Sequence, residues 1–145
     1  MIREAKLSEV REVTTYMKKF EKCTEVIPVD IEHAVKKYTD LISRGIGHMF
    51  ILEDETGVMR GGLGCIACED FHFPRKVAVE TYWYVEPEYA GHGRELLDYF
   101  EAWAKEQGCQ FTAMIHLVDS YPDRLHKMYE NRGYKLIEQH FLKEI

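Results

Sequence analysis

Apolar positions in the first third of the chain recur every three or four residues. Val10, Val13, Met17 and Phe20 share one helical face behind Ser8, a residue suited to an N-cap. Ile31, Ala34, Val35, Tyr38, Leu41 and Ile42 share another behind Asp30, with Gly45 just past the end. Before both helices Ile2–Ala5 reads as a strand. The pattern then shortens: His48–Leu52, the polar turn Glu53–Gly57 and the glycine-containing Val58–Cys68 predict an antiparallel hairpin. Val77–Val85, rich in Val, Thr, Tyr and Trp, predicts a buried strand. From Gly91 the helical period returns through Leu96, Leu97, Phe100, Trp103 and Ala104, ending at Gly108. Phe111–Val118 is read as a strand, Tyr121–Arg132 as a helix closed by Gly133, and Tyr134–Lys143 as a final strand. The order β-α-α-β-β-β-α-β-α-β predicts an α/β fold: one domain over residues 1–145, with a mixed, mostly antiparallel sheet of about six to seven strands flanked by four helices.

Composition narrows the partners. The 145 residues are 46% hydrophobic, enough for one core. No apolar run is long enough for a membrane span, so a soluble, cytoplasmic protein with no membrane partner is expected. A net charge of -6 argues against nucleic acid as a partner and mildly favours cationic ones. The four cysteines are too sparse for a disulfide scaffold, and the lone Cys65-x-x-Cys68 lacks a second ligand pair, so no metal is expected.

The junction between the buried strand and the third helix carries candidate chemistry. Glu88-Tyr89-Ala90-Gly91-His92-Gly93-Arg94 has two glycines at a helix start, where free N–H groups and the helix dipole favour a phosphate. A dinucleotide fingerprint would need a third glycine and a later acidic residue, and a nucleotide-triphosphate loop would need Gly-Lys-Ser/Thr; both are missing.

The run Tyr82–Leu97 resembles motif A of the GNAT N-acetyltransferase superfamily: a strand ending Val-x-Pro-Glu-Tyr, a glycine turn, then a helix with paired leucines. Gly91 and Gly93 match the motif glycines, and Glu88 stands where Gln or Arg is usual. Leu125–Tyr134 resembles the family's second signature, Leu/Met-Tyr-Glu-x-x-Gly-Phe/Tyr. The likeness covers essentially the whole chain and is closest to short bacterial and bacteriophage members.

The resemblance implies acetyl-CoA as co-substrate and transfer of its acetyl group to an amine on a small molecule or protein, with a homodimer as one assembly it allows. It also implies a diphosphate held on the Glu88–Arg94 backbone, an oxyanion held by the N–H of Tyr84 or Val85, and Tyr129 as proton or hydrogen-bond donor to the leaving thiolate. The family's usual Asn is Pro122 here, so Asp119 or Ser120 is the substitute contact to the pantetheine arm. An amine with a pKa of about 10.4 costs about 4 kcal/mol to present deprotonated near neutrality, so a base is useful. Glu80, on the central strand, is the first candidate, with His116 and His72 in reserve. By strand alternation Tyr82 and Tyr84 are expected on the face of Glu80, as an aromatic wall to an acceptor pocket. A catalytically silent acyl-CoA-binding or inhibitory relative is the alternative, resting on Glu88 and Pro122.

Overall fold

The computed structural model describes residues 1–145. It has one five-stranded sheet in the order β1-β2-β3-β4-β5. The strands are β1 (Ile2–Glu4), β2 (Gly47–Glu53), β3 (Met59–Glu69), β4 (Lys76–Val85) and β5 (Phe111–Ala113). Neighbours from β1 to β4 are antiparallel, and β5 runs parallel to β4. Four α-helices cover the sheet: α1 (Val10–Met17), α2 (Ile31–Ser43), α3 (Gly93–Glu106) and α4 (Pro122–Asn131). No helix is long and apolar enough to cross a membrane.

The expected six to seven strands are therefore five, for two reasons. Phe111–Val118 keeps strand geometry only to Ala113, because its neighbour β4 turns away beyond that point. Tyr134–Lys143 has no strand partner at all. The N-cap at Asp30 is as expected, its Oδ1 accepting the His33 N–H at 2.8 Å. Ser8 instead falls inside a 3₁₀ turn, Leu7–Glu9, and Glu9 precedes α1.

Alternation along the strands divides the core into two. Phe50, Leu63, Cys65, Ala67 and Ala78 pack under Leu96, Leu97, Phe100 and Trp103 of α3 and Tyr129 of α4. Met49, Ile51 and Tyr82 pack under Val10, Val13 and Met17 of α1 and Tyr38 of α2. A β-bulge in β4 breaks the alternation: Cys65 pairs with Glu80 and Gly64 with Tyr82, so Thr81 is the extra residue. Glu80 thus shares the α3/α4 face with Cys65, whereas Thr81 and Tyr82 both turn to the α1/α2 face over Gly64. The Thr81 hydroxyl meets that of Tyr38 there, at 2.5 Å.

The bulge depends on Gly64 having no side chain. A Cβ on Gly64 would lie 2.5 Å from Tyr82 Cε1 and 2.8 Å from Thr81 Oγ1. Gly64→Ala is expected to lower the melting temperature by roughly 3–9 °C, the effect of about 1–3 kcal/mol of overpacking in a domain this size. Gly91→Ala is the control, because nothing lies within 4 Å of its Cβ and its φ is not positive. Equal melting temperatures for the two variants in a calorimetric scan would refute this account of the bulge.

Candidate active site

β4 and β5 are hydrogen-bonded only over Val77–Val79 and Phe111–Ala113, after which they diverge. The β5-facing edge of β4 from Glu80 to Val85 is left without a strand partner. At the apex the carboxylate of Glu80 takes the place of a ladder carbonyl, its Oε2 accepting the Ile115 N–H at 2.8 Å. The cleft beyond has Glu80–Trp83 as its floor. Ile115, Leu117 and Ser120 form one wall, Phe20 and Ile27 of the α1–α2 connector form the other, and Leu125 and Tyr129 of α4 close the end. These residues come from four separate stretches of the chain.

Glu80 is 5% exposed, and burial pushes its carboxyl up to about 7, partly opposed by the Ile115 N–H. Tyr129, equally enclosed, has its hydroxyl 3.4 Å from the Ile115 carbonyl oxygen. Burial, with a further push from the charge of Glu80, raises the Tyr129 phenol well above its ordinary value, so it stays protonated at working pH. Glu80 and Tyr129 thus both reach the backbone of Ile115, the first at its N–H and the second at its carbonyl oxygen. Tyr82 and Tyr84 do not share the face of Glu80 as alternation predicts, because the bulge reverses the parity. Tyr82 packs edge-on to Tyr38, and Tyr84 lies 6.0 Å from Tyr16 between ring centroids.

The free edge of β4 presents specific backbone donors. The Glu86 N–H is bonded to the Arg60 carbonyl of the loop-side end of β3 at 2.9 Å. Alternation along the strand then directs the N–H of Tyr84 toward β3 and those of Val85 and Trp83 away from it, to the unpaired edge. Of the two amides expected to face an oxyanion, that of Val85 is the one so directed.

Beyond Val85 the chain winds into a 3₁₀ turn, Pro87–His92, continuous with α3. Glu86 precedes it, neutralised by Lys19 at 2.6 Å and Arg60 at 3.1 Å. Gly91 and Gly93 have ordinary negative φ, so neither is needed for backbone strain. Gly93 is needed for space: its Cβ would lie 3.3 Å from Trp83 Cζ2, next to the indole nitrogen. That nitrogen is buried and has no hydrogen-bond partner, which in a folded protein calls for an acceptor from outside. An orphan donor beside a helix start, next to an unpaired strand edge, fits a ligand with phosphate and amide oxygens. Arg94 faces Asn131 and Arg132 across a polar hollow between α3 and α4. His92 lies 3.2 Å from Glu95 in the exposed first turn of α3.

Other candidates are spent elsewhere or stand apart. The Asp119 carboxylate accepts from Thr24 Oγ1 at 2.7 Å and from the Glu25 N–H at 2.8 Å, so it ties down the α1–α2 connector instead of facing a ligand. Ser120 is buried on the cleft wall, and Pro122 is the first residue of α4. His72 lies in the β3–β4 turn, at the opposite end of β4 from Val85. His116 has its ring 6.2 Å from that of His126, with a buried and unpartnered Nε2. The carboxylates of Glu53, Asp54 and Asp70 are each paired with an arginine. Ile115 and the connector residues Phe20 and Ile27 carry no sequence signal of a site, since only the fold gathers them.

A model of the acetyltransferase (GNAT) family matches residues 13–134. No curated protein sequence matches the chain. Among solved structures, an aminoglycoside acetyltransferase from an uncultured soil metagenomic sample superposes with TM-score 0.78 at 14% identity, covering 100% of this chain and 97% of that one. Glucosamine-6-phosphate N-acetyltransferase from Arabidopsis thaliana gives 0.73 at 17% identity, covering 99% and 97%. Ribosomal-protein-alanine N-acetyltransferase from Brucella melitensis biovar Abortus 2308 gives 0.73 at 14%, covering 100% and 99%. At these identities the likeness is one of fold.

The buried carboxyl has a consequence for stability. With its pKa raised from the ordinary 4.5 to about 7, Glu80 in the folded state binds a proton that the unfolded chain has already released between those values. Its stabilising share is whole below pH 4.5 and is lost as the pH rises through about 7. Glu80→Gln, which keeps an acceptor for the Ile115 N–H, is expected to gain melting temperature relative to wild type between pH 5 and pH 8. A difference that stays constant across that window would show that the carboxyl is not shifted.

Proposed function

The chain belongs to the acetyltransferase (GNAT) family, and from that premise we propose that it is an acetyl-CoA-dependent N-acetyltransferase whose acceptor is an amine on a small molecule or protein. The observation that carries this reading is the open edge of β4 beyond its pairing with β5, with the Tyr129 hydroxyl beside Ile115 at the end of the cleft. Free cysteines and the absence of an apolar spanning helix are compatible with work in the cytoplasm.

In this reading the backbone of Glu88–Arg94 and the Trp83 indole N–H hold the diphosphate and adjoining arm of the co-substrate, with Ser120 against the same arm. Glu88 lowers the affinity relative to a Gln or Arg there without removing the site, since amides supply most of the contacts. The thioester lies along β4, its carbonyl oxygen accepting from the Val85 N–H, which stabilises the negative charge that develops on it. A neutral amine attacks the carbonyl carbon directly: the C–N bond forms, the C–S bond breaks, and the sulfur leaves as thiolate. Glu80, through a water, takes the proton that nitrogen gives up. With a pKa of about 7 it is ionised often enough to accept that proton and basic enough to hold it. Tyr129, still carrying its proton, donates to the departing sulfur. The proton lost by nitrogen thus goes to Glu80 and that gained by sulfur comes from Tyr129, and exchange with solvent then deprotonates Glu80 and reprotonates Tyr129, so that the products are N-acetylamine and CoA thiol. The net charge of -6 favours a cationic acceptor.

CoA release from acetyl-CoA that depends on added amine is the direct test. Tyr129→Phe is expected to bind acetyl-CoA as wild type does while kcat falls about 10²–10⁴-fold. Gly93→Val is expected to do the reverse, weakening acetyl-CoA binding in calorimetry by filling the space beside Trp83. Full kcat in Tyr129→Phe with the best acceptor, or unchanged affinity in Gly93→Val, removes the respective assignment.

A further inference from the structure

The cleft carries charge at a single point. Glu80 is the only carboxylate among the side chains that line it, and no lysine, arginine or histidine joins it there. The other polar groups are committed. The Thr81 hydroxyl meets that of Tyr38 at 2.5 Å, and the Tyr82 hydroxyl lies over Gly62 of β3. In the acetyltransferase reading, Tyr129 serves the sulfur, while Ser120 and the Trp83 indole serve the arm of the co-substrate. What remains for an acceptor is hydrocarbon, with Phe20 and Ile27 on one wall and Leu117 on the other.

The apolar surface continues outward to the mouth. Val26 and Ile27 of the connector are 42 and 43% exposed, and Val118 and Tyr121 on the facing loop 82 and 62%. Asp119, bonded to Thr24 and Glu25, holds these two lips together, so the four side chains flank one fixed latch. Tyr121 is the one residue other than glycine with positive φ, at 46°, a conformation that is costly for a bulky side chain and concentrates at binding sites. Nearby carboxylates are already paired: Glu86 with Lys19 and Arg60, and Glu21 with the Val29 N–H at 2.6 Å. Glu25 is exposed and outside the lining. Apolar groups gathered at the mouth of a cleft mark a ligand site.

We propose that the acceptor is an apolar monoamine, a primary amine on a hydrocarbon body, with its nitrogen at Glu80 and its body between Phe20, Ile27 and Leu117. The proposal rests on the acetyltransferase reading above and names the substrate class of that same site. A second ammonium on the body would be buried against side chains that hold no carboxylate for it, and the hydroxyls of a sugar would find no partners. A phosphate would meet no free cation, since Lys19 and Arg60 are both held by Glu86. The net charge of -6 draws any ammonium toward the molecule. The cleft then selects the amine whose remainder is apolar.

The test compares n-hexylamine with 1,5-diaminopentane, which match in size and differ only in ending in methyl or ammonium, and with glucosamine. Calorimetry on the full chain with CoA added reads amine binding without turnover, and CoA release from acetyl-CoA reads transfer. n-Hexylamine is expected to exceed the other two by about 10–100-fold in both affinity and kcat/KM. From propylamine to n-hexylamine, kcat/KM is expected to rise about two- to fourfold per methylene. Ile27→Glu, a change at an exposed position, places a carboxylate on the wall and is expected to shift the preference about tenfold toward 1,5-diaminopentane. Equal or tighter binding of 1,5-diaminopentane or glucosamine, no binding of n-hexylamine, or an unchanged preference in Ile27→Glu would each overturn the proposal. Preferential binding of n-hexylamine with no CoA release would support the ligand class and remove the acetyltransferase reading. Release with 1,5-diaminopentane or glucosamine at equal or higher kcat/KM would overturn the class and leave that reading standing.

Discussion

The divergence of β4 from β5 is the constraint on which the site depends. Two parallel strands that stayed paired to their ends would have no edge to offer, and every backbone amide between them would be satisfied. Here the bulge at Thr81 bends β4, and Glu80 replaces the next ladder carbonyl with a carboxylate, accepting from Ile115 at 2.8 Å. That one side chain both ends the pairing and sits at the apex of the opening it creates. The cost is a buried carboxyl, expressed in its raised pKa.

The bulge itself rests on the glycines of β3. Tyr82 and Thr81 turn together onto the α1/α2 face only because Gly64 leaves that surface flat, and Tyr82 also lies over Gly62. The same parity change puts Trp83 and Glu80 on the α3/α4 side, where Tyr129 lies 6.3 Å from Trp83 between ring centroids. Small residues on one strand thus decide which large residues of the next face the cleft. The outer wall is held separately, by Asp119 reaching across to Thr24 and Glu25 of the α1–α2 connector. Floor and wall are therefore fixed by different interactions, with the Asp119 carboxylate accepting the two hydrogen bonds that tie the connector across.

Much of this was legible in the linear chain. Helical spacing identified α1 to α4, and residues with strong β preference identified β2 to β4. The turn at Gly91–Gly93 and the Leu125–Tyr134 signature pointed to the family that the residues 13–134 match. Those features are local: periodicity, caps and short motifs need only neighbouring residues to carry their meaning.

Tertiary structure decided the rest. Alternation alone placed Glu80 with Tyr82 and Tyr84, but one extra residue opposite Gly64 reversed the parity, and no count along a single strand reveals a bulge that its partner strand permits. Gly93 proved to matter for the space it leaves Trp83, and Asp119 for the connector it holds, both contacts between residues far apart in sequence. The segment after Tyr134 reads as a strand in its own residues, yet a strand exists only where it hydrogen-bonds to a neighbouring edge, and this segment joins none. Intrinsic preference is a property of the chain; pairing, burial and the pKa of Glu80 are properties of what the fold brings alongside.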